Sequence, residues 1–294
     1  MRVSDSLIFQ NAAQNTQSAE QSVQQATEVA STGLKVTQPS DNPSAAGLIV
    51  TYTMQSSRYT AISSGAQAAS SELSAASSAL NDISTQLSQA KELAVQFSSS
   101  TNSSQSASGV AQANSILSQV ISDLNTQFGN RYLFGGTMDS SPPFDASGNY
   151  LGNSDLRQVE IAPGVYEQSN VDASTAIAGN GGGTNVITAL QSLSAAIGSG
   201  DPTQVEAAIS SLDASIGQVS TAVSEAGVSM STFNTAASAA TQSASNYTKA
   251  ASSLSDADVV SSSIALQAAQ TALQASLSAT AQSFKLSLVN YLPS

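Results

Sequence analysis

Carboxylates are the main reactive groups of this chain: 20 Asp and Glu stand against 8 Lys and Arg in 294 residues, with no Cys and no His. Paired carboxylates can work as general acid and base, but only where an apolar pocket drives their pKa values apart. Glu20 with Glu28, and Asp256 with Asp258, read as helix surface or helix cap, with no such pocket beside them. The missing histidine removes the side chain that titrates near neutrality, and the missing cysteine removes thiolates, disulfides and the usual zinc ligands. Asp145-Ala146-Ser147-Gly148-Asn149 is spaced like the start of a calcium loop, yet Leu156 stands at the twelfth position, where a bidentate Glu belongs; a tight turn is expected. Gly181-Gly182-Gly183-Thr184 has neither the following Lys-Ser or Lys-Thr nor the opening strand of a phosphate cradle, and reads as a flexible connector. The expectation is a protein with no catalytic, cofactor-binding or metal-binding residues, and not an enzyme.

Charge points the same way about partners. A net charge of −12 repels a phosphate backbone or an anionic bilayer, so neither nucleic acid nor membrane insertion is expected. Met1 to Gln14 hold only the short apolar run Leu7-Ile8-Phe9, too little for a secretory segment or a span. Only 10% of residues are charged and 5% aromatic, with no Trp, so long helices with narrow seams fit better than a large core of bulky side chains.

The spacing supplies such seams. Tyr52, Gln55, Tyr59, Ile62, Ala66, Ala69, Leu73, Ala76, Leu80, Ile83, Leu87, Ala90, Ala94 and Phe97 keep an unbroken 3-4 rhythm. A second run passes through Ile209, Leu212, Ile216, Val219, Val223, Ala226, Met230, Phe233, Ala237, Ala240, Ala244, Tyr247, Ala251 and Leu254, and a shorter third from Val110 through Ala113, Leu117, Val120 and Leu124 to Gln127 and Phe128. These predict a mainly α fold: a rod-like antiparallel helical bundle with coiled-coil seams, its hairpin turn between Ser98 and Ser108. Asp41-Asn42-Pro43 and Asp201-Pro202, with Gln204 at capping-box distance, mark helix starts, and Ser255 with Asp258 a third. Between Asp139 and Thr184, Pro and Gly clusters frame Gln158 to Ala162 and Val165 to Val171, a small β-containing insertion.

The last helix carries a stripe through Val259, Leu266, Ala269, Leu273, Leu277, Phe284, Leu288 and Leu292, and Lys285 is its one charge. The first carries a thinner one through Ile8, Ala12, Ala19, Val23, Ala26 and Ala30, with Asn15 inside it. Such an Ala-rich face cannot bury every large residue opposite it, so the ends are expected to pair and to complete their burial against other subunits. Three levels result: residues 1–40 with 255–294 as paired terminal helices for assembly, 41–138 with 185–254 as a helical rod, and 139–184 as a small β-containing domain.

The opening Met1-Arg2-Val3-Ser4, the loop Pro39-Ser40-Asp41-Asn42-Pro43-Ser44-Ala45-Ala46, Arg131-Tyr132-Leu133-Phe134-Gly135-Gly136-Thr137 before Pro142-Pro143-Phe144, and the ending Leu286-Ser287-Leu288-Val289-Asn290-Tyr291-Leu292 together resemble the flagellin-like family, in its hook–filament junction branch. Asn42 departs from the second acidic residue often seen in that loop, although Asn also caps helices. The resemblance implies a structural flagellar subunit in which residues 1–40 with 255–294 form an inner assembly layer, the long helices a rod around it and 139–184 an outer domain, exported by the type III apparatus with a cytoplasmic export chaperone and sited outside the cell. It would form a homo-oligomeric ring between a neighbouring hook-associated junction protein and flagellin. The expected assembly interface is Ile8, Val23, Leu266, Leu273, Leu277, Phe284, Leu288 and Leu292, and the rod cap loop Asp41, Asn42 and Pro43. The filament subunit, flagellin itself, and a soluble chemoreceptor-like signalling rod are the alternatives.

Overall fold

Alternating small and large apolar residues at heptad spacing produce helices of unusual length. A computed structural model describes the backbone of residues 2–98 and 105–289, and their side chains except at 2–6, 8 and 283–289. Its elements are α1 (Arg2–Thr32), α2 (Pro43–Phe97), α3 (Ser106–Leu124), β1 (Gln127–Phe128), β2 (Arg131–Tyr132), β3 (Gln158–Ala162), β4 (Val165–Gln168), α4 (Ala173–Ala176), α5 (Val186–Ser199), α6 (Pro202–Ser255) and α7 (Val259–Val289). The fold is mainly α, with two small antiparallel sheets, β1-β2 and β3-β4. Of the turn expected between Ser98 and Ser108, residues 99–104 lie outside the described residues, and α3 already begins at Ser106. The chain divides into two compact units, Arg58–Ala244 and Met1–Ser57 with Ser245–Ser294.

In the Arg58–Ala244 unit the expected seam of α2 is buried at every position from Ile62 to Ala94. Polar pairs give the register against α6: Ser63 Oγ lies 2.9 Å from Thr241 Oγ1, Ser70 Oγ donates to Asn234 Oδ1 at 3.0 Å, and Lys91 Nζ meets Asp213 at 2.6 Å. Each step is a multiple of seven, rising on α2 and falling on α6, so the helices run antiparallel without a slip. Along the expected α6 seam Ile209, Ile216, Val223 and Met230 are half-buried, while Ala208, Ser215 and Ala222 beside the first three are buried. Residues of α3 and α5 join the same core, and α6 therefore covers a wider arc than a two-helix seam requires.

Helix α3 stops at Leu124, and the expected continuation to Gln127 and Phe128 is instead the exposed strand β1. The chain reverses at Gly129, whose φ of +62° suits glycine, and β2 returns into the buried Leu133 and Phe134. Strand β3 has the expected bounds; β4 ends at Gln168, short of Val171, which is buried instead in the core. Helix α5 is not announced by any heptad seam in the sequence. Asn185 caps it by accepting from Thr188 N, Gly200 in the left-handed region ends it, and Val186, Ile187, Leu190, Leu193 and Ile197 are all buried. Its fourteen residues lie between two glycine-rich stretches, too short for a sustained seam.

Two polar clusters tie the insertion down. Glu72, 6% exposed on α2, pairs with Arg157 and with Arg131 Nη2 at 3.2 Å, and Asp139 Oδ2 lies 3.5 Å from Arg157 Nη1. Two cations meet two anions, which is how a buried carboxylate is tolerated. From α6, Gln218 Nε2 donates to the carbonyls of Thr175, Ala176 and Thr184, and its Oε1 accepts from Thr184 N at 3.0 Å. One side chain thus clamps the polyglycine connector.

In the other unit, Asn42 Oδ1 accepts from Ala45 N at 3.1 Å with Pro43 as the first helical residue of α2, the expected capping device. Tyr52 packs against Tyr247 with ring centroids 6.0 Å apart, and Ser56 Oγ lies 2.8 Å from Thr248 Oγ1.

Candidate functional site

The terminal helices pair antiparallel. The connectors begin this: Lys35 N donates to Ser255 O at 2.7 Å and Ala257 N to Gly33 O at 2.8 Å, a short bridge between Leu34 and Asp256. Gly33, at φ +71°, ends α1, and Lys35 Nζ caps a last-turn carbonyl of α6, Ser253 O, at 3.0 Å. Asp258 starts α7 by accepting from Ser261 N at 2.8 Å; Ser255, expected to share the cap, is the last residue of α6 and lies 2.7 Å from Asp256 Oδ1. Reach explains the difference, since the capping oxygen must meet the third helical N–H, and Asp258 is the residue placed to do so. The same bond holds the Asp258 carboxyl below its usual value. Asp41 does not cap α2. Its Oδ2 accepts from Gln38 N at 2.9 Å and Thr37 N at 3.0 Å, which closes the loop and lowers its pKa, the Gln38 bond contributing most.

Farther along, Thr16 Oγ1 of α1 lies 3.2 Å from Ser276 Oγ and 3.4 Å from Thr280 Oγ1 of α7. The facing stripe of α7 is Ser262, Leu266, Ala269, Leu273, Ser276 and Thr280, a 3.5-residue repeat; α1 answers with Ala12, Thr16, Ala19, Val23 and Ala26. The large apolar residues of α7 repeat at a longer period and so leave the seam after Leu273. Leu277 is 49% exposed and Val259 74%, while Asn15 and Ala30 also face outward. Two-helix pairing favours the strict 3.5 repeat even where Ser and Thr occupy it.

Of the expected interface residues, the structure brings Val23, Leu266 and Leu273 to the seam, half-buried, and leaves Leu277 outside it. The side chains of Ile8, Phe284 and Leu288, and all of Leu292, lie outside the described residues. Within this unit only Ala45 and Ser262 are buried among the described side chains. Val259, Val260 and Ile264 extend the uncovered apolar surface at the start of α7, at 74%, 67% and 63% exposure.

In the other unit, Asp145 makes a closed turn: its Oδ1 accepts from Ser147 N and Asn149 N, both at 2.8 Å, and its Oδ2 from Asn149 Nδ2 at 2.8 Å. These bonds, chiefly those from Asn149, lower its pKa. Tyr150, behind the turn, donates between Phe134 O and Asn153 O, and burial pushes its pKa up to about 12. In a cleft lined by Leu156, Asp172, Gln218, Glu225, Val228 and Ser229, Ser229 Oγ donates to Glu167 Oε1 at 3.0 Å, and Asp172 is committed to capping α4. Among the described residues no cluster of acidic side chains is placed to hold a metal ion, and no helix is long and apolar enough to cross a membrane. The Glu72 cluster and the Gln218 clamp were not found from sequence, because isolated polar residues carry no period.

Similar folds occur in solved proteins. A provisionally assigned flagellar hook-associated protein from Vibrio parahaemolyticus superimposes with a TM-score of 0.67 at 21% identity, covering 74% of this chain and 100% of its own. Flagellar hook associated protein-3 from Legionella pneumophila gives 0.61 at 13%, covering 70% and 98%, and Bacillus cereus FlgL 0.54 at 19%, covering 63% and 98%. At these identities the likeness is one of fold. No match is found among curated proteins. The bacterial flagellin N-terminal helical region matches residues 3–139 and the C-terminal helical region matches residues 209–292. With both helical regions present in order and spanning most of its length, the chain belongs to the flagellin-like family.

Proposed function

We propose that this protein is a structural subunit of the bacterial flagellum that joins hook to filament, self-assembling into a ring through its terminal helices. The observation that carries the reading is the α1–α7 pair itself: two 31-residue helices meet along a seam in which Leu266 and Leu273 stay half-buried, while Val259, Ile264 and Leu277 stay uncovered. Burying such side chains fully contributes about 1.5–3 kcal/mol each, and on this reading a neighbouring subunit supplies the missing cover. Residues 1–40 with 255–294 then form the inner layer, 41–138 with 185–254 the rod, and 139–184 the outer domain. The three structural neighbours support the junction over the filament itself, since each bears a hook-associated or FlgL designation. A chemoreceptor-like rod gives no reason for a family match at both ends. On this reading the partners are copies of the same chain, a hook-associated junction protein, flagellin and, before export, a cytoplasmic chaperone. The location is the extracellular flagellum, and the role is mechanical, not enzymatic.

The test replaces Leu273 and Leu277 together by Ser in cells that lack the native protein. The expected result is a protein that is exported and keeps its helical signal but leaves hooks without filaments. Normal filaments on the variant, or filaments unaffected by loss of the protein, would refute the junction reading.

A further inference from the structure

We infer that Asn180 is a site of spontaneous chemical modification, the position at which this protein acquires an aspartyl or isoaspartyl linkage in water. Asn180-Gly181 is the one Asn-Gly pair in the chain, and no Asp-Gly pair occurs. Ring closure needs the backbone nitrogen of the following residue to reach the asparagine Cγ, and a following side chain obstructs it. Gly181 has none, its φ is +86°, and a Cβ built there would meet nothing within 4 Å. Both residues are exposed, open to the water and base that the reaction requires.

Six other asparagines are held otherwise. Asn81, Asn114, Asn234 and Asn246 sit inside long helices, where the following N–H is committed to the helical ladder. Asn42 is followed by proline, which has no N–H, and Asn185, followed by Val186, is the cap of α5.

The step balances without an oxidant, a reductant or a cofactor. Gly181 N attacks Cγ of Asn180, an N–C bond forms, the Cγ–Nδ2 bond breaks, and ammonia leaves carrying the proton that Gly181 N gives up through water. One water molecule then opens the five-membered imide at either carbonyl. The surroundings tolerate both products. Asn180 Nδ2 donates to Ser174 Oγ at 2.6 Å, and that hydroxyl can reverse to donate to a new carboxylate oxygen. The extra backbone atom of an isoaspartyl link falls beside Gly181 and Gly182, neither of which has a neighbour within 4 Å of a built Cβ. Each conversion adds a negative charge to a chain already at −12.

The experiment incubates the purified full chain in heavy-oxygen water at neutral and at mildly alkaline pH, and follows every asparagine by peptide mass spectrometry. Heavy oxygen is expected at position 180 before any other asparagine, faster at the higher pH. Gly181→Ala should slow it by about tenfold or more. Asn180→Gln should abolish uptake there while leaving the helical circular dichroism unchanged, which guards against a misfolded Ala variant. Uptake spread evenly over the asparagines, or none at position 180, overturns the inference.

Discussion

The two units are made of the same kind of helix, and they differ in how far they bury it. Between Arg58 and Ala244 the core closes on itself: Phe134, Phe233, Leu80, Ile83 and Leu87 are fully buried. In the unit of the two termini, buried side chains among those described come down to Ala45 and Ser262. Composition does not separate them, since both are rich in Ala, Ser and Gln. The number of helices that meet does. A third and fourth helix turn a half-covered seam into a core, whereas a helix pair leaves one flank of each seam residue in water. Helix propensity therefore sets where helices form, and packing sets which of them are finished within a single chain.

The largest effect should come from the closed core. Phe233→Ala is expected to destabilise the Arg58–Ala244 unit by about 3–5 kcal/mol in denaturant unfolding, while Leu273→Ala in the terminal pair moves the main transition little. Equal losses would break the contrast. Next is Glu72→Ala, which leaves the half-buried Arg157 with Asp139 as its remaining carboxylate; about 3 kcal/mol is expected to be lost from the same transition. A hydrophobic replacement of similar shape, Glu72→Met, should cost no less while both arginines remain.

Hydrogen exchange on the monomer sharpens the comparison without mutation. Amides facing the α2 and α6 seams should be protected for hours and those of α1 and α7 lost far sooner. Uniform protection would mean that the terminal pair is already complete. A smaller effect is expected at the cap: Asn42→Ala should cost about 1 kcal/mol and fray the start of α2.

The smallest effect is on pH. Asp258 and Asp41 have depressed pKa values in the folded chain, so their contribution is present above the unfolded carboxylate value of about 4 and is lost as acid protonates them below it. Helical signal from the terminal unit should fall first on acidification, and Asp258→Asn should weaken that dependence.

Much of this was legible in the residues. The α2 seam from Ile62 to Ala94, the Asn42-Pro43 start and the bounds of β3 all follow from periodicity and capping, because those rules act over a few residues. The stripe on α7 was only half legible. Following Leu277 in place of Ser276 is what a hydrophobicity rule recommends, and partner geometry overruled it.

The sequence by itself determined the mainly α fold, the long helices and the family, since each is written in spacing or in contiguous motifs. Only the tertiary structure decided that Glu72 gathers Arg131 and Arg157, that Gln218 clamps the polyglycine connector, and that Ala208, Ser215 and Ala222 are buried deeper than the larger residues beside them. Those outcomes depend on groups far apart in the chain meeting at a few ångströms, a condition that no local pattern encodes.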